Sequence, residues 1–511
     1  MARKKHHPLK VVRVALALCF FLLLTAMFLD FTGTLHHYLS WMTKVQLLPA
    51  ILSVNVAVVV GLLLLTFIVG RVYCSVICPL GVMQDCFTFL SGKTRKRRFR
   101  PTKAHNILRY TVMVVFAVLI VAGLQSVALL IAPYSAYGRI VNSMFAPLVA
   151  LINNGLAAMA ERADSYAFYS TDVWLKSAVS LTVAVLTFVG LGVLAARRGR
   201  LWCNTICPVG SLLSLCSRYS LLAPVIDKDK CTRCKACERG CKAECIDIAE
   251  GSVDTSRCVA CMDCLQNCKF NAMHYTLRHR EQTAPATATK SVSTEAAKPE
   301  KQEKNAPDNS RRQFLTTTAA LSLTALAQAQ HKTTDGGLAV ITNKRVPTRA
   351  VSLKPAGARS LKHFSAHCTA CGLCVSACPN QVLRPSNGLL TLMQPEMSFE
   401  RGYCPENCTR CSEVCPTRAI EKITAEERLD THIGHAVWLK ENCVVISDGV
   451  ACGNCAKHCP TNAILMVETI DGLVPAVDES LCIGCGKCEY VCPARPFSAI
   501  YVEGYEKHRQ P

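Results

Sequence analysis

The sequence is poor in charge, and poorest in acid. Only 18% of its 511 residues are charged, and 36 Asp and Glu face 57 Lys and Arg for a formal net charge of +21. Half the residues are apolar, and a mean hydropathy of +0.24 is high for a soluble globule. These values exclude a disordered chain. No G-x-G-x-x-G or P-loop motif stands at a strand-to-helix turn, so no flavin, nicotinamide or ATP site is indicated. The long apolar runs contain no histidine, which removes the ligands of a bis-histidine haem within a membrane. Cysteine, by contrast, is abundant, with 32 residues.

Four apolar runs occupy the first 200 residues, at 11–29, 49–69, 110–132 and 177–196. The last three carry no charge and reach the roughly 20 residues that cross a hydrocarbon core of about 30 Å. The first carries Arg13 one turn in, where its side chain can snorkel to the headgroups. Lys and Arg gather at the N-terminus, between runs two and three (residues 93–103), and after run four at Arg197, Arg198 and Arg200. This asymmetry predicts four spans in a bacterial inner membrane, with those segments in the cytoplasm. The basic run 93–103 is then a topology determinant, and no nucleic-acid partner is expected.

A repeat lies within the block. Residues 70–81 (GRVYCSVICPLG) match 199–210 (GRLWCNTICPVG) at seven of twelve positions. The duplication predicts two equivalent helical hairpins, each ending in a Cys-x3-Cys-Pro element at the cytoplasmic membrane surface. Cys74, Cys78, Cys203 and Cys207 are candidates for a redox or metal role near a quinone site; the alternative is packing at helix ends. His36 and His37, in an outer loop, are candidates to take quinol protons or are simply interfacial.

Six groups of four cysteines follow. Cys231, Cys234, Cys237 and Cys241 have the spacing C-x2-C-x2-C-x3-C, and Cys258, Cys261, Cys264 and Cys268 repeat it. So do Cys368, Cys371, Cys374 and Cys378, and, at the far end, Cys482, Cys485, Cys488 and Cys492. Between these lie Cys404, Cys408, Cys411 and Cys415, whose first gap is three residues, and Cys443, Cys452, Cys455 and Cys459, whose first gap is eight. Three thiolates at i, i+3 and i+6 fit three corners of one [4Fe–4S] cubane, and the fourth serves a neighbouring cluster. Zinc sites use two CxxC pairs split by a longer loop, and cysteines this close cannot all pair as disulfides. Crossing predicts that Cys231, Cys234 and Cys237 share a cluster with Cys268, and Cys258, Cys261 and Cys264 with Cys241. In the last domain the outer motifs are expected to pair with each other, and the inner ones likewise. Six cubanes carry roughly −12 together and bring the holo charge to about +9. Cys19, Cys86, Cys216 and Cys245 fit no pattern and read as packing residues.

The predicted organisation is an α-helical membrane domain (1–220) plus α+β ferredoxin-like iron–sulfur domains at 225–280 and 360–505. A flexible linker at 281–309 joins the two halves. The sequence Ser310-Arg311-Arg312-Gln313-Phe314-Leu315, with the weakly apolar stretch to 330, reads as an internal twin-arginine signal that implies a Tat translocase partner. It would either remain as a fifth anchor or be cut near Ala327 or Ala329. The C-terminal domain would then be periplasmic.

Residues 1–280, with their spans, two CxxxCP elements and two cluster motifs, resemble the NapH/MauN family of membrane ferredoxin-type proteins. Residues 310–505, with a twin-arginine signal and four cluster motifs, resemble the exported NapG/MauM family. The resemblance implies a fusion of the two. It also implies a quinol dehydrogenase module that draws on the membrane quinol pool and feeds a periplasmic reductase or cytochrome, most typically nitrate reductase. An electron-supplying maturation factor for a periplasmic metalloenzyme such as methylamine dehydrogenase is the alternative, and a redox-silent metal scaffold a third.

Overall fold

A computed structural model describes residues 7–30, 33–94, 99–165, 168–278 and 342–509. By internal contacts, residues 1–278 and 343–511 form one unit and residues 279–342 another. The linker and twin-arginine segment read from the sequence lie outside the described residues.

Among the described residues, three helices are long and apolar enough to cross a membrane: Pro8–Leu29, Pro133–Glu161 and Ala178–Arg198. They differ from the four expected spans. In the 49–69 run, Val54 takes a left-handed φ of 53° and the Asn55 side chain caps Val58 N at 3.3 Å. The run therefore splits into Leu47–Leu52 and Val56–Val69. The latter's 14 residues rise only about 21 Å. The 110–132 run breaks likewise at Gly123, with φ 79°, after the helix Asn106–Val121. Conversely, residues 133–161, taken from the sequence as part of a loop, form one 29-residue helix. Its first turns are buried, and Arg139 there donates to the carbonyls of Leu129 and Leu130 at 3.1 and 2.8 Å.

Outward faces of the helices are apolar. Leu16 and Leu22 on the first, Leu64 on Val56–Val69 and Leu186 on Ala178–Arg198 are exposed, as suits a lipid-facing belt.

The two Cys-rich domains sit at opposite ends of this helix block. At one end Lys10 pairs with Asp263 at 2.6 Å, and Arg109 donates to Ser256 O at 2.9 Å. At the other, Asn142 donates to Gly372 O at 2.9 Å, Trp174 to Gln381 at 2.5 Å and Lys176 to Val375 O at 3.2 Å. The helix Pro8–Leu29 runs between them, about 33 Å for its 22 residues.

Each Cys-rich domain is built from short helices, tight loops and two-stranded ribbons. In the first, Leu222–Ile226 pairs antiparallel with Met273–Leu277, bringing the ends of the domain together around both motifs. Backbone geometry marks the motifs. In the four regular ones the residues two and four after the first cysteine are left-handed: Arg233 and Lys235, Ala260 and Met262, Ala370 and Gly372, Gly484 and Gly486. A left-handed residue also follows three places after the fourth cysteine in five of the six motifs, at Glu244, Asn271, Gln381, Arg418 and Asn462. Such conformations are costly outside glycine. Their recurrence identifies one winding used repeatedly, including in the two motifs with irregular spacing.

Candidate metal centres

None of the 32 cysteines forms a disulfide. Thiols of the cluster motifs gather in groups. One cavity of about 20 Å³ is lined by Cys231, Cys234, Cys237 and Cys268, and another by Cys241, Cys258, Cys261 and Cys264. This is the crossed arrangement expected from spacing. In the C-terminal domain, Cys378 lines a cavity with Cys404, Cys408 and Cys411, while Cys374 stands within electrostatic reach of Cys368, Cys371 and Cys415. Cys482 and Cys485 face Cys459 with Cys488 beside them, and Cys455 faces Cys452 and Cys492. Cys443 is buried just before the helix Val444–Ser447.

Consecutive motifs therefore pair, first with second and third with fourth. The expected pairing of outer with outer and inner with inner is wrong. The ribbons decide it: Leu383–Pro385 with Pro395–Met397 folds back the first connection, and Ile464–Thr469 with Gly472–Val477 the second. Local closure costs less chain entropy than nesting one pair inside another.

These sites suit iron–sulfur clusters. Burial pushes the Cys237 and Cys455 thiols up to about 11, so a bare thiolate is unfavourable there and a cationic metal core supplies the balance. Among the described residues no three His, Cys, Asp or Glu converge tightly enough to hold a single ion. Cys245, which the sequence suggested was mere packing, lies 3.6 Å from Cys241 Sγ and lines the same cavity. Its thiol helps draw Cys241 down to about 7. The only sequence signal was its position four residues after Cys241. Arg428 is fully buried between two quartets, within reach of both Cys411 and Cys485.

The duplicated elements are buried inside the helix block, next to the 225–278 domain, where Arg71 donates to Cys258 O and Arg200 N to Lys242 O. Gly70 and Gly199, with φ of 72° and 58°, turn the chain back inward. Cys74, Cys78, Cys203 and Cys207 are at most 5% exposed, and all four stand within electrostatic reach of one another. Gly81 and Gly210 are obligatory: a Cβ would come 2.2 Å from the carbonyl of Cys74 or of Cys203 respectively.

Comparison with known proteins agrees with this geometry. A family model described as a 4Fe-4S binding domain matches residues 54–97 and 180–224, and one described as a 4Fe-4S dicluster domain matches 367–419 and 450–495. The chain is 31% identical over 205 residues to the ferredoxin-type protein NapG of Escherichia coli, covering 36% of this chain and 82% of that one. It is 33% identical over 171 residues to the methylamine utilization ferredoxin-type protein MauM of Paracoccus denitrificans (30% and 73%). To the E. coli ferredoxin-type protein NapF it is 29% identical over 155 residues (30% and 87%). The chain belongs to the Nap/Mau family of ferredoxin-type proteins. No solved structure matches it significantly.

In this Nap/Mau-type chain a cavity of about 270 Å³ lies where the helix block meets the C-terminal domain. Phe28, Asp30, Asn142, Trp174, Lys176 and Cys378 help line it. His36 is buried beside it with Nδ1 3.2 Å from Asp30 Oδ2. Burial holds His36 below the usual imidazole range despite Asp30, which keeps the ring neutral and able to accept a proton. The side chain of His37, the other sequence candidate, lies outside those described.

Proposed function

We propose that this chain is a membrane-bound quinol dehydrogenase module whose quinol site is the cavity of about 270 Å³. The observation that carries the reading is its wall. Apolar helix residues lie on one side, a cluster-type cysteine, Cys378, on another, and the Asp30–His36 pair stands at the edge. Oxidation of a quinol to the quinone releases two protons and two electrons. His36, held by Asp30, takes the proton of one ring hydroxyl, the proton of the other passes to bulk water, and Trp174 and Phe28 clasp the ring. Lys176 and Asn142 offer donors to the quinone oxygens. When bound, iron–sulfur clusters supply the one-electron steps.

The distribution of Lys and Arg supports a cytoplasmic location for the 225–278 domain and a periplasmic one for the C-terminal domain, consistent with an internal twin-arginine signal. Six [4Fe–4S] clusters are assigned to the 24 cysteines of the six motifs. The acceptor is a periplasmic reductase, with nitrate reductase favoured by the likeness to NapG and NapF. The likeness to MauM supports the second reading, electron supply to the maturation of a periplasmic metalloenzyme.

The test is quinol-dependent reduction of the purified chain. H36Q is expected to slow it about 100-fold, while dithionite still reduces the clusters fully. Unchanged quinol rates in both H36Q and W174A would remove the cavity as the quinol site.

A further inference from the structure

We propose that Cys74, Cys78, Cys203 and Cys207 together hold a seventh [4Fe–4S] cluster inside the helix block, two ligands from each copy of the repeat, and that it links the two ferredoxin-like ends. The proposal does not depend on where quinol binds.

Neither copy alone supplies four ligands. The duplication does, because the fold brings both halves to one buried point. Cys78 and Cys207 precede the helices Pro79–Thr94 and Pro208–Ser217, each opened by proline. Cys207 Sγ accepts from Gly210 N at 3.3 Å, and Gln84 Nε2 donates to Cys203 Sγ at 3.4 Å. Thiolates at two helix N-termini with backbone and amide donors are suited to an anionic cluster.

Charge points the same way. Arg71, Arg109 and Arg200 are at most 1% exposed, and all three act on Cys74. Arg200 has a carboxylate, Asp85, at 2.8 Å. Arg71 has none among the described residues; it donates to Gly210 O, Arg257 O, Cys258 O and Asn204. An interior guanidinium without an anion is costly. A cluster with four thiolates, at about −2 when oxidised, provides that anion. Arg71 reaches both Cys74 and Cys258, as Arg428 bridges two quartets in the C-terminal domain.

Position gives the site its role. Towards the 225–278 domain, Arg71 spans from Cys74 to the quartet containing Cys258. On the other side, fully buried Tyr73 lies against Cys74, Cys78 and Cys207. Tyr73 is also within reach of Tyr134, which in turn contacts Cys371 and Cys415. The helix Pro8–Leu29 between the two ends is about 33 Å long, and this site has neighbours towards each of them. Each transfer oxidises one cluster by one electron and reduces the next by one; no bond forms and no proton moves.

The test is metal content and Mössbauer spectroscopy on the full chain, purified anaerobically in detergent. The wild type is expected to hold about 28 iron atoms, and the double variant C74S/C203S about 24, with the EPR signals of the other six clusters intact. C86S, which removes a thiol outside the quartet, keeps all the iron. A wild type saturating at about 24 iron atoms, with or without one zinc, overturns the proposal, as does a double variant with undiminished iron. Should the double variant fail to fold, the wild-type count alone decides.

Discussion

The two copies of the repeat share their glycine, arginine, cysteine and proline positions but stabilise their buried arginines differently. In the second copy Arg200 meets Asp85, which is also shared with Arg13 at 2.5 Å and Lys242 at 3.5 Å. In the first, Arg71 is held by carbonyl oxygens and the Asn204 amide. Tyr73 in one copy hydrogen-bonds Gln46 at 3.0 Å, whereas its counterpart Trp202 finds no partner for its indole nitrogen. Duplication therefore preserved the four thiols and the glycines beneath them while the surroundings diverged. What both copies retain is what a shared ligand set needs, and what differs is how each is anchored.

Substitutions can break that comparison, and the largest effect is expected at Asp85. D85N leaves Arg200, Arg13 and Lys242 without their common carboxylate and is expected to cost about 3–5 kcal/mol, read as an early thermal transition in detergent. G81A and G210A come next, at about 1–3 kcal/mol each from overpacking. G81A is expected to cost more than G210A, because its Cβ also comes 2.7 Å from Arg200 Nη1 whereas that of Gly210 meets, beyond the Cys203 carbonyl, only Cys207 Cβ at 3.5 Å; equal shifts would contradict that difference. N204A removes an acceptor of Arg71 and is expected to cost about 1–3 kcal/mol. The equivalent change in the first copy, S75A, loses only a bond to Val72 O at 3.1 Å and should cost less than about 1 kcal/mol. Equal melting shifts for N204A and S75A would contradict the asymmetric anchoring of the two arginines.

Local features of this molecule were readable from residue order, and long-range ones were not. Cysteines at i, i+3 and i+6 are tied by covalent geometry, so the spacing alone announced the motifs. Which motif faces which depends on ribbons such as Leu383–Pro385 with Pro395–Met397, three residues each, too short to show as alternating patterns. Hydropathy located Pro8–Leu29 and Ala178–Arg198 well. It merged Leu47–Leu52 with Val56–Val69 because one asparagine cap weighs little in a window average. It also passed over Pro133–Glu161, where Arg139 and Asn142 look like loop residues until their carbonyl partners are seen. The convergence of the four CxxxCP thiols could be anticipated from the repeat, but not their depth, which follows from the turns at Gly70 and Gly199.

The central claim is that the two Cys-rich ends communicate through the middle of the helix block. The full chain, reconstituted with one orientation in sealed vesicles and exposed to a membrane-impermeant reductant outside, tests this most directly by freeze-quench EPR. The account predicts that signals from both ends become reduced in the wild type, and only those of the exposed end in C74S/C203S. Reduction confined to the exposed end in the wild type itself would contradict it.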